Sequence, residues 1–249
     1  MPAKGAMPQQ VAQPGGVRLN AAERHFAGGA SVGPLTLQAG PGEVIALLGP
    51  SGCGKSTALD LICGLQHADA GTVECSRAAL MPQTDALLPW LDAAGNAALP
   101  LILHGTPKAQ ARANAQDALA QLGLPNHGAL RPDQLSGGMR QRVAITRTLL
   151  SGAPVLCLDE PFAALDAITR ESAQQLLAGA LASSGRTAVL VTHDASEAAL
   201  LADRVYVLGP QGSVAAEVPG AREHDAVDSP PVIEATRTLR AALSEVVAG

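Results

Sequence analysis

The sequence predicts an α/β fold, a mostly parallel sheet with helices on both faces, interrupted by an inserted helical segment. Three observations lead there. The apolar run Val44-Ile45-Ala46-Leu47-Leu48 is followed by a glycine-rich loop and then by a helical pattern. Two more runs of strand length, Val155-Leu156-Cys157-Leu158 and Thr187-Ala188-Val189-Leu190-Val191, alternate with helical stretches, as right-handed crossovers require. Between the first run and the second, residues 89–152 give only helical signals.

Each element has local reasons. After the loop at 49–57, a helix is expected from about 56 to 65, with Gly64 near its end. Thr106 as N-cap and Pro107 at the first helical position open an Ala-rich helix over 108–122, stopped by Gly123. Ser136 can cap a helix over 137–150, closed by Gly152 and Pro154, and Asp166 can cap one running to about 183. Residues 205–208 and 214–218 read as edge strands. Residues 236–247 read as an amphipathic helix with Leu239, Leu243, Val246 and Val247 on its apolar side. Residues 1–16, rich in Pro, Gln, Gly and Ala, read as a disordered tail. Residues 17–249 then form a single domain, with a helical subdomain at about 89–152.

Composition narrows the function. With 249 residues, 47% of them hydrophobic, the chain can bury a sizeable core, and with only 2% aromatic that core must be Ala, Leu and Val. A net charge of −5 with no Lys/Arg block gives nucleic-acid binding no electrostatic support. No apolar stretch is long enough to span a bilayer, and the N-terminus lacks the basic-then-apolar order of a secretory signal. Cys53, Cys63, Cys75 and Cys157 show no metal spacing and read as free thiols of a reducing compartment.

Two motifs carry chemistry. Gly49-Pro50-Ser51-Gly52-Cys53-Gly54-Lys55-Ser56-Thr57 satisfies G-x-x-x-x-G-K-[ST] at every fixed position, between a strand and a helix. Glycines let successive N–H groups turn inward around phosphate oxygens, and the helix adds its positive end. Lys55 is placed for the β- and γ-phosphates and Ser56 for Mg²⁺. Asp159-Glu160 ends a strand at the same sheet edge, where Asp159 can bind Mg²⁺ and Glu160 can orient and deprotonate a water.

A second glycine-rich segment, Leu135-Ser136-Gly137-Gly138-Met139-Arg140-Gln141-Arg142, opens a helix between these two motifs. This pairing resembles the ATPase subunits of ATP-binding-cassette (ABC) transporters, and the resemblance spans about residues 18–243. It implies a P-loop NTPase of the ABC-ATPase fold, with a small antiparallel β-subdomain added to the parallel core. It also implies ATP and Mg²⁺ as ligands and a homodimer that sandwiches two ATP molecules. Ser136, Gly137 and Gly138 would contact ATP on the opposite subunit, and Asp166 would sit in the loop that crosses the interface. Gln83 would touch Mg²⁺ and sense the γ-phosphate, and His193 would contact that phosphate. Phe26, about two dozen residues before the loop, is either the aromatic that stacks on adenine or a core residue.

Leu87-Leu88-Pro89-Trp90 and the run from Asp159-Glu160-Pro161-Phe162 to Arg170 resemble the ATPases of bacterial nitrate, sulfonate and taurine importers. That implies uptake of a small anionic solute. Taurine or another alkanesulfonate comes first, with nitrate or a thiamine precursor as alternatives. An integral-membrane permease would dock near residues 83–90, unless Trp90 packs internally, and a periplasmic solute-binding protein would act indirectly. The chain would lie peripherally on the cytoplasmic face of the inner membrane. A soluble ABC ATPase of DNA repair or translation is the alternative from another class; the acidic charge and missing coiled-coil insertion oppose it. Departures from the family pattern are a short 71–83 stretch, which should trim the antiparallel subdomain, Met81 before Pro82-Gln83, Met139 in place of Gln and Ala163 in place of Gly.

Overall fold

In the computed structural model, which describes residues 15–224 and 226–248, buried and exposed positions alternate along much of β1 (Val17–His25) and β2 (Ser31–Ala39). One face of this pair is therefore solvated. β3 (Val44–Leu48) is buried at every position, as a strand covered on both faces must be. It runs through the loop at 49–54 into α1 (Lys55–Ile62), after which come β4 (Ala70–Cys75) and β5 (Ala78–Met81). Three helices follow: α2 (Ala93–Leu103), α3 (Lys108–Gln121) and α4 (Gly137–Leu149). The chain then alternates through β6 (Val155–Asp159), α5 (Ala167–Ser184), β7 (Thr187–Thr192), α6 (Ala195–Leu201) and β8 (Arg204–Leu208), and ends with β9 (Val214–Pro219) and α7 (Pro230–Ala248).

Six strands form the main sheet in the order β5-β6-β7-β3-β8-β9, all parallel except β9 against β8. A second sheet, β2-β1-β4, is antiparallel and three-stranded. The alternation of β3 divides the core. Val44, Ala46 and Leu48 pack with Leu177, Leu181, Leu200 and Leu239 of the helices on one face. Ile45 and Leu47 pack with Leu59 and Ile62 of α1 and with Leu19 and Leu35 of the antiparallel sheet on the other. The inserted helices have their own apolar cluster, built on Ala93, Ala97, Ala111, Ala115, Leu119 and Val143. The core is mainly Ala, Leu and Val, as the composition requires, with a few Ile, Cys and single Phe, Tyr and Met side chains among the buried described residues.

The α/β class and the mostly parallel core agree with the sequence reading; several details do not. α1 stops at Ile62, short of residue 65, because Gly64 is already left-handed at φ 68°. Pro107, not Thr106, occupies the cap of α3. The 205–208 strand is interior, since β8 pairs with β3 on one side and β9 on the other; a short apolar run does not reveal its neighbours. α7 begins six residues before the expected 236, at Pro230, and Val247 is 68% exposed, so the apolar face ends before it. α6 had no periodic signal over its 7 residues. Of the expected tail, residues 1–14 lie outside the described residues; the Gly15 carbonyl accepts from the Thr187 hydroxyl.

Phe162, 1% exposed, plugs the cluster beneath the 160–166 loop that follows β6. Phe162→Ala should lower the unfolding free energy by about 3–5 kcal/mol in urea denaturation, since a large cavity would remain under that loop. A change below about 1 kcal/mol, the scale of an ordinary surface substitution, would show that the loop is not anchored there.

Candidate functional site

The loop at 49–54 is shaped by glycine where only glycine fits. Gly54 caps α1 with φ 109°, and a Cβ there would lie 2.6 Å from Val32 Cγ1. A Cβ on Gly49 would lie 2.7 Å from the Leu208 carbonyl oxygen. Lys55, 6% exposed, folds back so that its Nζ donates to Gly49 O at 2.7 Å and Pro50 O at 2.8 Å. The ammonium thus sits within the loop rather than in solvent. α1 has no acidic residue in its first turn, so its positive end is uncompensated. Ser51 and Gly52 are exposed at the tip, Thr57 is half-buried, and burial pushes the Cys53 thiol up, which makes it an inert lining group.

Asp159, the last residue of β6, is 8% exposed beside this loop. Burial pushes its carboxyl up; a hydrogen bond from Ser56 opposes that, the Glu160 charge adds to it, and Lys55 opposes it. Glu160 is a non-glycine residue at φ 47°, a left-handed turn that aims its side chain off the sheet edge. The turn is held from three sides. Glu160 N donates to Val191 O at 2.9 Å, Glu160 O accepts from Gln141 Nε2 at 3.2 Å, and Gln141 Oε1 accepts from Ala164 N at 3.2 Å. Around the carboxyl lie His193, whose Nδ1 is 3.3 Å from Oε1, and Gln83, whose Nε2 is 3.5 Å from Oε2, a weak contact. His193 is 64% exposed and the Glu160 side chain 17% exposed, so the pair opens to solvent on one side. Six of the sequence-predicted residues therefore converge: Lys55, Ser56, Gln83, Asp159, Glu160 and His193. Ser56 and Asp159 offer hard oxygen donors of the kind Mg²⁺ takes, with the Gln83 amide close by.

A second group forms apart from the first. Ser136 caps α4, its Oγ accepting from Met139 N at 3.2 Å. Gly138 lies against the start of α5, where a Cβ would be 2.2 Å from Leu165 Cδ2. Asp166 caps α5, with Oδ1 accepting from Thr169 N at 3.0 Å and Oδ2 from Thr169 Oγ1 at 2.9 Å. Among the described residues no hydrogen bond joins Ser136, Gly137 or Gly138 to the loop at 49–57. Each chain thus presents two separate surfaces suited to anions: a glycine-rich loop and a capped helix start.

Phe26 follows β1, whose Arg24 pairs with Val32, the residue packed on Gly54. Its ring is 36% exposed and has the Arg24 guanidinium 5.8 Å from the centroid, so it is not a core residue. Trp90 is 67% exposed, which rules out internal packing. The segment bearing it is fixed by buried Asn96, which accepts from Leu88 N at 2.7 Å and donates to the carbonyls of Leu88, Leu91 and Asp92.

Gln141 and Asn96 were missed by sequence reasoning. Both are buried amides inside helices, and the only local signal was an uncharged polar residue on an apolar face. Arg140 and Arg147 were also missed; they reach from α4 to Asp85 and Ala86, and nothing in their spacing announces those partners.

Residues 32–163 match the family model described as ABC transporter. The taurine import ATP-binding protein of Chromobacterium violaceum is 46% identical to this chain, covering 71% of each. An aliphatic sulfonates import ATP-binding protein of Xanthomonas axonopodis pv. citri is 40% identical, covering 92% of this chain and 96% of its own. Among solved structures, a dimeric post-hydrolysis state of an ATP-binding cassette bound to ADP and Pi matches with a TM-score of 0.75 at 31% identity, over 83% of this chain and 99% of that one. With the loop, the acidic strand end and the capped Ser136 helix in place, the chain belongs to the ABC transporter family as an ATP-binding, ATP-hydrolysing subunit.

Proposed function

We propose that this ATPase works as a homodimer that powers a bacterial importer for a small anionic solute, taurine or another alkanesulfonate. The observation that carries the mechanism is the convergence of Gln83 and His193 on the Glu160 carboxyl, beside Lys55, Ser56 and Asp159. The solute rests on similarity to relatives named for taurine and aliphatic sulfonate import.

In this reading Lys55 and the N–H groups of residues 51–57 hold the β- and γ-phosphates, and Phe26 stacks on the base. Ser56, Asp159 and Gln83 hold Mg²⁺, which when bound neutralises charge on the phosphate oxygens. Glu160 orients the attacking water and accepts its proton, while His193 holds the γ-phosphate. Ser136, Gly137 and Gly138 of the partner subunit supply the opposite wall, and Asp166 lines the interface. The separation of those residues from the loop within one chain supports a composite site, and the matched cassette is dimeric. The exposed Pro89-Trp90 surface suits a permease contact, since a large aromatic left exposed at 67% is the kind of side chain that anchors a partner. Among the described residues no helix is long and apolar enough to cross a membrane. In this reading the crossing belongs to that permease, the chain is peripheral on the cytoplasmic face, and a periplasmic solute-binding protein delivers the solute.

Glu160→Gln should keep ATP binding but lower turnover by at least about 10²-fold, the scale of a lost general base, and accumulate an ATP-bound dimer in size-exclusion chromatography. Turnover near wild type would remove Glu160 from that role. Lys55→Ala should weaken binding of a fluorescent ATP analogue by about tenfold or more, because a charge-assisted phosphate contact is lost; unchanged affinity would contradict the assignment of the loop.

A further inference from the structure

Behind His193, two enclosed polar atoms of opposite character have no hydrogen-bond partner: Arg170 Nε on α5 and Glu197 Oε1 on α6. Native folds rarely leave such atoms unpaired. The rest of each side chain is engaged. Arg170 Nη2 donates to Leu165 O at 2.9 Å, and its Nη1 lies 4.0 Å from Asp194 Oδ2. Asp194 adjoins His193 and caps α6, its Oδ1 accepting from Ser196 N at 2.8 Å. The Glu197 carboxyl meets the hydroxyl of Thr192, the residue on the other side of His193. Arg170 therefore ties the start of α5, next to Asp166, to Asp194 on one side of His193, while Glu197 of α6 meets Thr192 on the other.

We propose that Arg170 and the buried carboxyl of Glu197 are positioning residues, which hold the 192–194 turn so that His193 faces Glu160. This rests on the reading of Glu160 and His193 as the reacting pair. Glu197 is 5% exposed. Burial, then the Asp194 charge, push its carboxyl up to about 8; Glu160 adds to this, while the Thr192 hydrogen bond and Arg170 oppose it. It is neutral at pH 7, and the charged groups acting on it are Asp194 on its own turn, Arg170 from α5 and Glu160 from the end of β6. Ionisation would place a new negative charge beside two carboxylates. Arg170, the cation among these groups, would be drawn from Leu165 O and Asp194 towards Glu197, carrying the turn with it.

The test is steady-state ATPase kinetics of the full chain from about pH 6 to 9, spanning the ionisation of a raised carboxyl. In the wild type, kcat should fall as pH rises through about 8. Glu197→Gln, a neutral isostere, should keep kcat at pH 7 within about twofold and lose that alkaline fall, while Arg170→Ala should lower kcat about tenfold or more with little change in KM for ATP. Arg170→Lys should restore only part of it, because the ammonium lacks the planar fork. The same alkaline fall in Glu197→Gln, a collapse of its kcat at pH 7, or unaltered kcat in Arg170→Ala would each overturn the proposal. An inactive wild type, or an active Glu160→Gln, would instead strike at the ATPase chemistry on which it rests.

Discussion

The site depends on the parallel register of β6, β7 and β3. Asp159 stands opposite Val191 and Leu48 opposite Thr192, so the three strands end at one level. Their continuations are the Glu160 turn, the His193 turn and the phosphate loop. A one-residue slip of any strand would turn its last side chain to the other face and move its loop by about 3.3 Å, more than a hydrogen bond tolerates. Continuous burial along β3, β6 and β7 prevents the slip, because each face has its own apolar partners. The strand-end crevice is where doubly wound folds place ligands, and here it collects one cation and two carboxylates.

The charges at that edge are close to the limit of what burial allows. Asp159 has lost most of its hydration and is sustained by Ser56 and by the Lys55 charge, while Glu160 works against it. Lys55 in turn is satisfied by two loop carbonyls. In the proposed chemistry a triphosphate adds several negative charges to this edge. The loop N–H groups, the α1 end and a divalent cation would then have to outweigh the repulsion from Asp159 and Glu160. Donors held in place by a glycine-shaped loop would cost little to reorganise when phosphate enters.

Legibility from sequence followed the range of the interactions involved. The loop, the strand bearing Asp159-Glu160 and the caps Ser136 and Asp166 were readable because each is a local pattern, a turn or a helix start set by a few neighbouring residues. The strand partners of 205–208 and the extent of α7 were not, since they are decided by what packs alongside. Gln141 shows the boundary well. It lies within the segment that announced the family, yet its two contacts, to Glu160 and Ala164, join residues far apart in sequence and leave no periodic trace. Arg170 and Glu197 are the same case: their significance comes from enclosure between two helices.

One helix, α4, joins the 83–90 segment to the Glu160 turn. Its Gln141 fixes the Glu160 turn. Its Arg140 pairs with Asp85 at 2.8 Å, and its Arg147 donates to the carbonyls of Asp85 and Ala86 at 2.9 and 2.8 Å. Ala86 sits at φ 45°, a strained backbone that persists only where its surroundings over-determine it. These three contacts from charged donors fasten the 83–90 segment to α4 at the point where its backbone is strained. The N-terminus of that helix carries Ser136, Gly137 and Gly138. One helix thus lies between the segment that bears Trp90 and the Ser136 end, while Gln83 and Glu160 lie where α4 meets the end of β6. The exposed segment and the Glu160 turn thus share α4 as a common support, which in the proposed function is the element that would couple hydrolysis to a docked partner.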